Sequence, residues 1–108
     1  MMTDRVRYRV SATLVDEATA NRFVAWMSEE HGAAILAAPG CEEYRVYRVA
    51  TRQVDCEFLF ATRSALDDYL RDWAPSLRAR GRELFPEGTA EYERDIASLV
   101  AGGVRATG

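Results

Sequence analysis

Lysine is absent, and all fourteen basic residues of this 108-residue chain are arginine. A Schiff-base lysine and a phosphate-binding loop built around its lysine are thereby excluded. Histidine occurs once, as His31, and cysteine twice, as Cys41 and Cys56, so a zinc site of Cys and His within one chain is excluded too. Nothing else in the composition calls for a metal or a cofactor. No apolar run approaches the roughly 18 residues that cross a bilayer. The opening Met1-Met2-Thr3-Asp4-Arg5 lacks the charged-then-apolar layout of a secretion signal. The expected setting is therefore cytoplasmic, with no membrane partner and both cysteines as free thiols. Positive charge is not in excess either. Fourteen Arg against 17 Asp+Glu leave a net charge of -3, which gives no general attraction to nucleic acid.

What is present is the pattern of one compact domain, expected over residues 1–101, followed by a loose tail at 102–108. Val6, Tyr8, Val10, Ala12 and Leu14 alternate with Arg7, Arg9, Ser11 and Thr13, the period of a half-buried strand. Asp16 then offers an N-cap to a helix in which Ala20, Phe23, Val24, Met27, His31, Ala34 and Ile35 share a face, bent or ended near Gly32 and stopped by Pro39-Gly40. Tyr44 and Val46 mark a second strand, and Val54, Cys56, Phe58 and Phe60 a third, with a hairpin at Thr51 to Gln53 between them. Ser64 with Asp67 reads as a capping box for a second helix containing Leu66, Tyr69, Leu70 and Trp73. Pro75 suits the first turn of a third helix, and a last strand is expected from about Thr89 to Val100.

This order of elements is the split βαβ arrangement of an α+β, ferredoxin-like fold, a four-stranded antiparallel sheet with helices on one face. The helix-facing side would carry Tyr8, Val10, Tyr44, Val46, Cys56 and Phe58. The other would carry Arg7, Arg9, Arg45, Tyr47, Asp55, Glu57 and Leu59. With the third strand beside the first, Arg7 and Arg9 are expected to pair with Asp55 or Glu57. That face is either solvated or a polar-lined cavity covered by a second subunit.

The run Trp26 to His31, the stretch Pro39-Gly40-Cys41-Glu42-Glu43-Tyr44-Arg45-Val46, and the segment from Tyr69 to Arg78 with Phe85-Pro86 together resemble a short bacterial family of unknown function. That family is similar to the dimeric α+β-barrel superfamily, and the resemblance spans roughly residues 6 to 100. It implies a homodimer in which two four-stranded sheets face each other. Members include cofactor-independent antibiotic-biosynthesis monooxygenases, polyketide cyclases, lactone isomerases, haem-degrading enzymes and ligand-sensing domains. The monooxygenase-type members often carry a histidine near the end of the second helix, where this chain has Trp73.

Candidate chemistry starts with His31, whose ordinary pKa lies near neutrality and suits a general base. The same position, near a helix end and four residues after Met27, also suits a structural histidine. Tyr47 could orient a substrate oxygen or serve as an interface aromatic. Arg7, Arg9 and Arg45 could clamp a carboxylate or enolate, or simply pair with Asp55, Glu57 or Glu43. His31 and Tyr47 would border one pocket only if the chain after helix one curls over the open end of the sheet at Gly32 and Pro39-Gly40. Arg78, Arg80 and Arg82 read as a solvated helix, because Arg80 points away from the other two. Phe23, Trp26, Tyr69 and Trp73 have the spacing of core packing, and haem would require His31 as its axial ligand. Two functions stay open: a homodimeric small-molecule binder, or a cofactor-independent monooxygenase or cyclase-like enzyme acting on an aromatic or polyketide-like molecule with His31 as base.

Overall fold

The computed structural model describes residues 4–106. Residues 1–3 of the expected domain and 107–108 of the expected tail lie outside the described residues. The elements run β1 (Val6–Leu14), α1 (Glu17–Trp26), a π-helical turn (Met27–His31), α2 (Gly32–Leu36), β2 (Cys41–Ala50), β3 (Gln53–Phe60), α3 (Arg63–Asp72), α4 (Ala74–Leu84) and β4 (Ala90–Ser98). The strands form one sheet in the order β2-β3-β1-β4, with every neighbouring pair antiparallel. This is the ferredoxin-like α+β fold. Among the described residues no helix is long and apolar enough to cross a membrane.

The inward residues of β1 and β3 meet in register, Tyr8 opposite Phe58, Val10 opposite Cys56 and Ala12 opposite Val54. They pack beneath Phe23, Ile35 and Leu66, and all of these except Val10 are buried. Each large side chain placed there adds roughly 1.5–3 kcal/mol of apolar burial. Both cysteines are free. Cys56 faces Val46, and Cys41 lies at the far end of β2 opposite Phe60. Register shifts between Cys41 and Glu43 and between Arg48 and Ala50 bend β2, and they displace its pairing from that of a simple hairpin folded about residue 52.

Local signals explain most boundaries. Asp16 caps α1 by accepting a hydrogen bond from the Thr19 N–H at 2.8 Å. For α3 the cap is Thr62, which accepts from the Ala65 N–H at 3.0 Å, rather than Ser64. Thr62 has the extended backbone an N-cap needs, whereas Ser64 already lies inside the helix. Pro75 stands in the first turn of α4 as expected. Gly40 adopts φ +85° in the turn into β2, and a Cβ there would lie 2.5 Å from that of Ala65.

The helix after Asp16 departs from the expected break at Gly32. It continues through Gly32 to Leu36, but with one widened turn whose closing bond runs from the Gly32 N–H to the Met27 carbonyl, five residues back. A Cβ on Gly32 would lie 2.4 Å from Tyr44 Cε2 and 2.8 Å from that same carbonyl oxygen. Helix propensity alone would favour Ala over Gly by up to about 1 kcal/mol. The overlap with a backbone atom reverses the sign. Gly32→Ala should therefore destabilise the protein by about 1–3 kcal/mol in urea unfolding, whereas Gly103→Ala, with nothing within 4 Å, should change stability by less than about 0.5 kcal/mol. An unchanged midpoint for Gly32→Ala would show that the widened turn relaxes freely.

Candidate functional site

Between the helices and the sheet lies a cavity of about 320 Å³. That is near the lower bound of small-molecule pockets, roughly 300–1,000 Å³. β1 supplies Tyr8 and Val10, and β3 supplies Phe58. Phe23, Trp26, Met27 and His31 come from α1 and the widened turn, and Tyr69 comes from α3. Leu77, Arg78, Gly81 and Arg82 of α4 close one side, and Tyr92 and Arg94 of β4 another. A wider hollow of about 610 Å³, bordered by Thr13, Arg52, Glu87 and Glu91, gathers surface charges and no aromatic ring. Leu14, Val15 and Ala90 also border it, but no ring offers a flat surface for an aromatic ligand.

The widened turn determines where His31 points. In a regular α-helix, residues five apart lie roughly 140° apart around the axis. The extra residue in the turn removes most of that angle, and the His31 ring stacks on Trp26 with centroids 4.2 Å apart. Trp26 is itself held by its indole N–H, which donates to Glu30 at 3.2 Å, and Glu30 is gripped by Arg80 of α4 at 3.0 Å. A Cβ on Gly81 would come within 3.2 Å of the Trp26 indole, so the glycine lets α4 lie against that ring.

Burial pushes the His31 pKa down to about 4, and the neighbouring Glu30 charge offsets only part of the effect. The imidazole is thus neutral at neutral pH, and it makes no hydrogen bond or ion pair among the described residues. Burial also pushes the Tyr69 and Tyr92 phenols upward, so both stay protonated. The Tyr8 hydroxyl accepts a hydrogen bond from Arg78 at 3.0 Å. The cavity therefore combines a neutral imidazole, which at about 4 is a weak base, with phenol groups and guanidinium cations that can steady an anion. Burial holds the Cys41 and Cys56 thiols at about 11 and about 12, too high for thiolate chemistry near neutrality. Among the described residues there is no cluster of three His, Cys, Asp or Glu able to hold a metal ion.

The other expected site residues lie across the sheet. Tyr47 is 45% exposed on the helix-free face, opposite Asp55 in the ladder, and does not line the cavity that holds His31. The two do not meet, because α2 continues past Gly32 instead of curling over the end of the sheet. Arg7 and Arg9 do not pair with Asp55 or Glu57. Both bind Asp95 of β4, Arg7 at 3.0 Å. As an inner strand, β1 has acidic neighbours on both sides, and Asp95 lies directly opposite Arg9. Asp55 instead accepts a hydrogen bond from Ser11 at 2.6 Å. Arg45 pairs with Glu43 at 2.8 Å. Glu57 sits between Arg9 and Arg45 in the ladder without an ion pair among the described residues.

The family model of a domain of unknown function, DUF4286, matches residues 6–98. The chain belongs to this family. No curated protein matches it. Among solved structures, this DUF4286 chain is similar to a dimeric ferredoxin-like protein from an uncultured marine organism, with a TM-score of 0.76 and 10% identity over 92% of this chain and 98% of that one. It is also similar to SnoaB, a cofactor-independent oxygenase from Streptomyces nogalater, with a TM-score of 0.70 and 14% identity over 93% and 97% of the two chains. A third is a monooxygenase from the gene ActVA-Orf6 of Streptomyces coelicolor in complex with nanaomycin D, with a TM-score of 0.70 and 12% identity over 94% and 92%. At these identities the likeness establishes the fold.

Several cavity residues of the DUF4286 chain escaped the sequence reading. Arg80 does point away from Arg78 and Arg82, but the pair left behind lines the cavity, with Arg78 half-buried and Arg82 exposed to solvent as well. Phe23, Trp26 and Tyr69 wall the cavity as well as packing the core. Arg94 left a usable signal. It interrupts the inward positions Ala90, Tyr92 and Ile96 of β4, where alternation calls for an apolar side chain.

The His31 shift has a measurable consequence. The folded state holds this group near 4, against an ordinary value of 6.5, so between those pH values the unfolded chain binds the extra proton. The stabilising contribution is complete above about 6.5 and is lost as pH falls towards 4, roughly 2 kcal/mol after allowance for the ring's partial exposure. Urea unfolding at pH 7 and pH 4.5 should show a smaller loss of stability in His31→Asn than in the unaltered protein. Equal losses would show that His31 is not the group that titrates.

Proposed function

We propose that this protein is a homodimeric small-molecule-binding α+β barrel, in which each subunit takes an aromatic ligand in the cavity between its helices and its sheet. The observation that carries this reading is the cavity itself, where Tyr8, Phe23, Trp26, Phe58, Tyr69 and Tyr92 supply flat apolar walls. The helix-free faces of two sheets would meet across the dimer. Tyr47 and Val49, 45% and 54% exposed, would form the apolar contact, and Arg7, Arg9, Arg45, Asp55 and Glu57 would line the polar space between the sheets. A cytoplasmic setting agrees with two free thiols.

A second reading is favoured by the unengaged neutral imidazole of His31. In a cofactor-independent oxygenase, that group would take a proton from an acidic C–H of the substrate. Phenol and guanidinium groups would hold the resulting enolate while molecular oxygen reacts with it. One oxygen atom would enter the substrate, and the other would leave as water with the two hydrogens of the oxidised carbon.

Sedimentation at micromolar concentration should give a species of twice the 12.1 kDa chain, and Val49→Asp should shift it towards monomer. A monomer of the unaltered protein would overturn the dimer. Oxygen uptake with anthrone, a tricyclic aromatic ketone bearing an acidic CH₂, separates the two functions. Uptake that falls about 100-fold in His31→Asn supports the enzyme. Binding without uptake supports the binder.

A further inference from the structure

We propose that the cavity is selective for an aromatic carboxylate, whose carboxyl group is held by Arg78 and Arg82 of α4 and Arg94 of β4. This rests on the small-molecule reading above and adds the charge of the ligand. Three arginines line the cavity and no Asp or Glu does, although acidic residues outnumber arginines by 17 to 14 in the chain. Among the described residues seven of the eleven other arginines find acids, while Arg48 bonds Asn21 and Arg52 the Leu14 and Val15 carbonyls. Arg7 and Arg9 share Asp95, Arg45 takes Glu43, Arg63 takes Asp67 and Arg80 takes Glu30. Arg78, Arg82 and Arg94 have no carboxylate within ion-pair distance among the described residues.

The three converge from two elements. Arg78 and Arg82 are four residues apart and so share one face of α4. Arg94 stands opposite Val10 on the helix-facing side of β4, with its guanidinium carbon 5.2 Å from the centre of the Tyr92 ring. That contact orients a cation without neutralising it. The charges of Arg78 and Arg94 both act on the Tyr69 phenol, although burial still keeps it protonated. Arg78 also donates to the Tyr8 hydroxyl, whose own proton remains available to a ligand oxygen. Guanidinium forks match the two oxygens of a carboxylate, and the aromatic walls match a planar body attached to it.

Calorimetric titration with 2-naphthoate and with 2-naphthamide tests this, because the two share ring and shape and differ in charge. At low salt, naphthoate should bind at least about tenfold more tightly than naphthamide. Arg82→Gln and Arg94→Gln should each weaken naphthoate binding by about tenfold and leave naphthamide within about twofold. Both residues are exposed on their outer side, so these variants should keep the thermal unfolding of the parent protein. Arg78→Gln, which also removes the bond to Tyr8, serves as a third variant. Equal affinity for the two probes, unaffected by either exposed variant, would overturn the carboxylate proposal and leave the small-molecule reading intact. Failure of both probes to bind would overturn both.

Discussion

A four-stranded sheet has two faces, and this chain provides helices for only one of them. Leu14, Val54, Phe58 and Phe60 present an apolar surface that Phe23, Ile35 and Leu66 cover, and burial of those side chains is the main source of stability. The opposite face carries Glu57 and also Arg7, Arg9, Asp55 and Asp95, the last four of which form ion pairs and hydrogen bonds along the surface. Such pairs contribute little individually, about 0–1 kcal/mol each. The asymmetry leaves one face to be satisfied within the chain and the other available to a second copy.

Packing on the helix side is incomplete in one place, and that is where the cavity lies. Gly81 brings no side chain, half-buried Arg78 brings a charge, and the exposed Arg82 and Arg94 complete the charged lining. The widened turn at Met27–His31 belongs to the same region. It inserts a residue that a plain helix would not need, and the imidazole consequently stacks on Trp26 beside the cavity. Local departures from regular helix and regular alternation thus coincide with the candidate site, where function commonly overrides packing.

Trp26 links the two helical segments that flank the opening. Its ring stacks with His31 and lies close to Gly81, its N–H reaches Glu30, and Glu30 in turn holds Arg80. One indole therefore connects the placement of the candidate base to the position of α4, which carries two of the three cavity arginines. Among the described residues the imidazole has no hydrogen-bonded partner to select a tautomer, and the stacked indole orients it.

Period and punctuation in the sequence determined the fold. Alternation in β1 and β3, helical spacing around Phe23 and Tyr69, the cap at Asp16 and the stops at Pro39-Gly40 and Pro86 are local features, and local features are legible one segment at a time. The inward-facing residues and the single-sided helix layer followed from them. Tertiary structure alone decided which acid each arginine meets, because β1 has a neighbour on either side and only the folded sheet sets Asp95 across from Arg9. It also decided that His31 and Tyr47 stand on opposite faces, through a helix that widens rather than breaks at Gly32. The arginines of α4 and β4 are far apart along the chain, so no spacing rule joins them; they share a cavity because β4 pairs with β1 and turns Arg94 to the helix-facing side of the sheet.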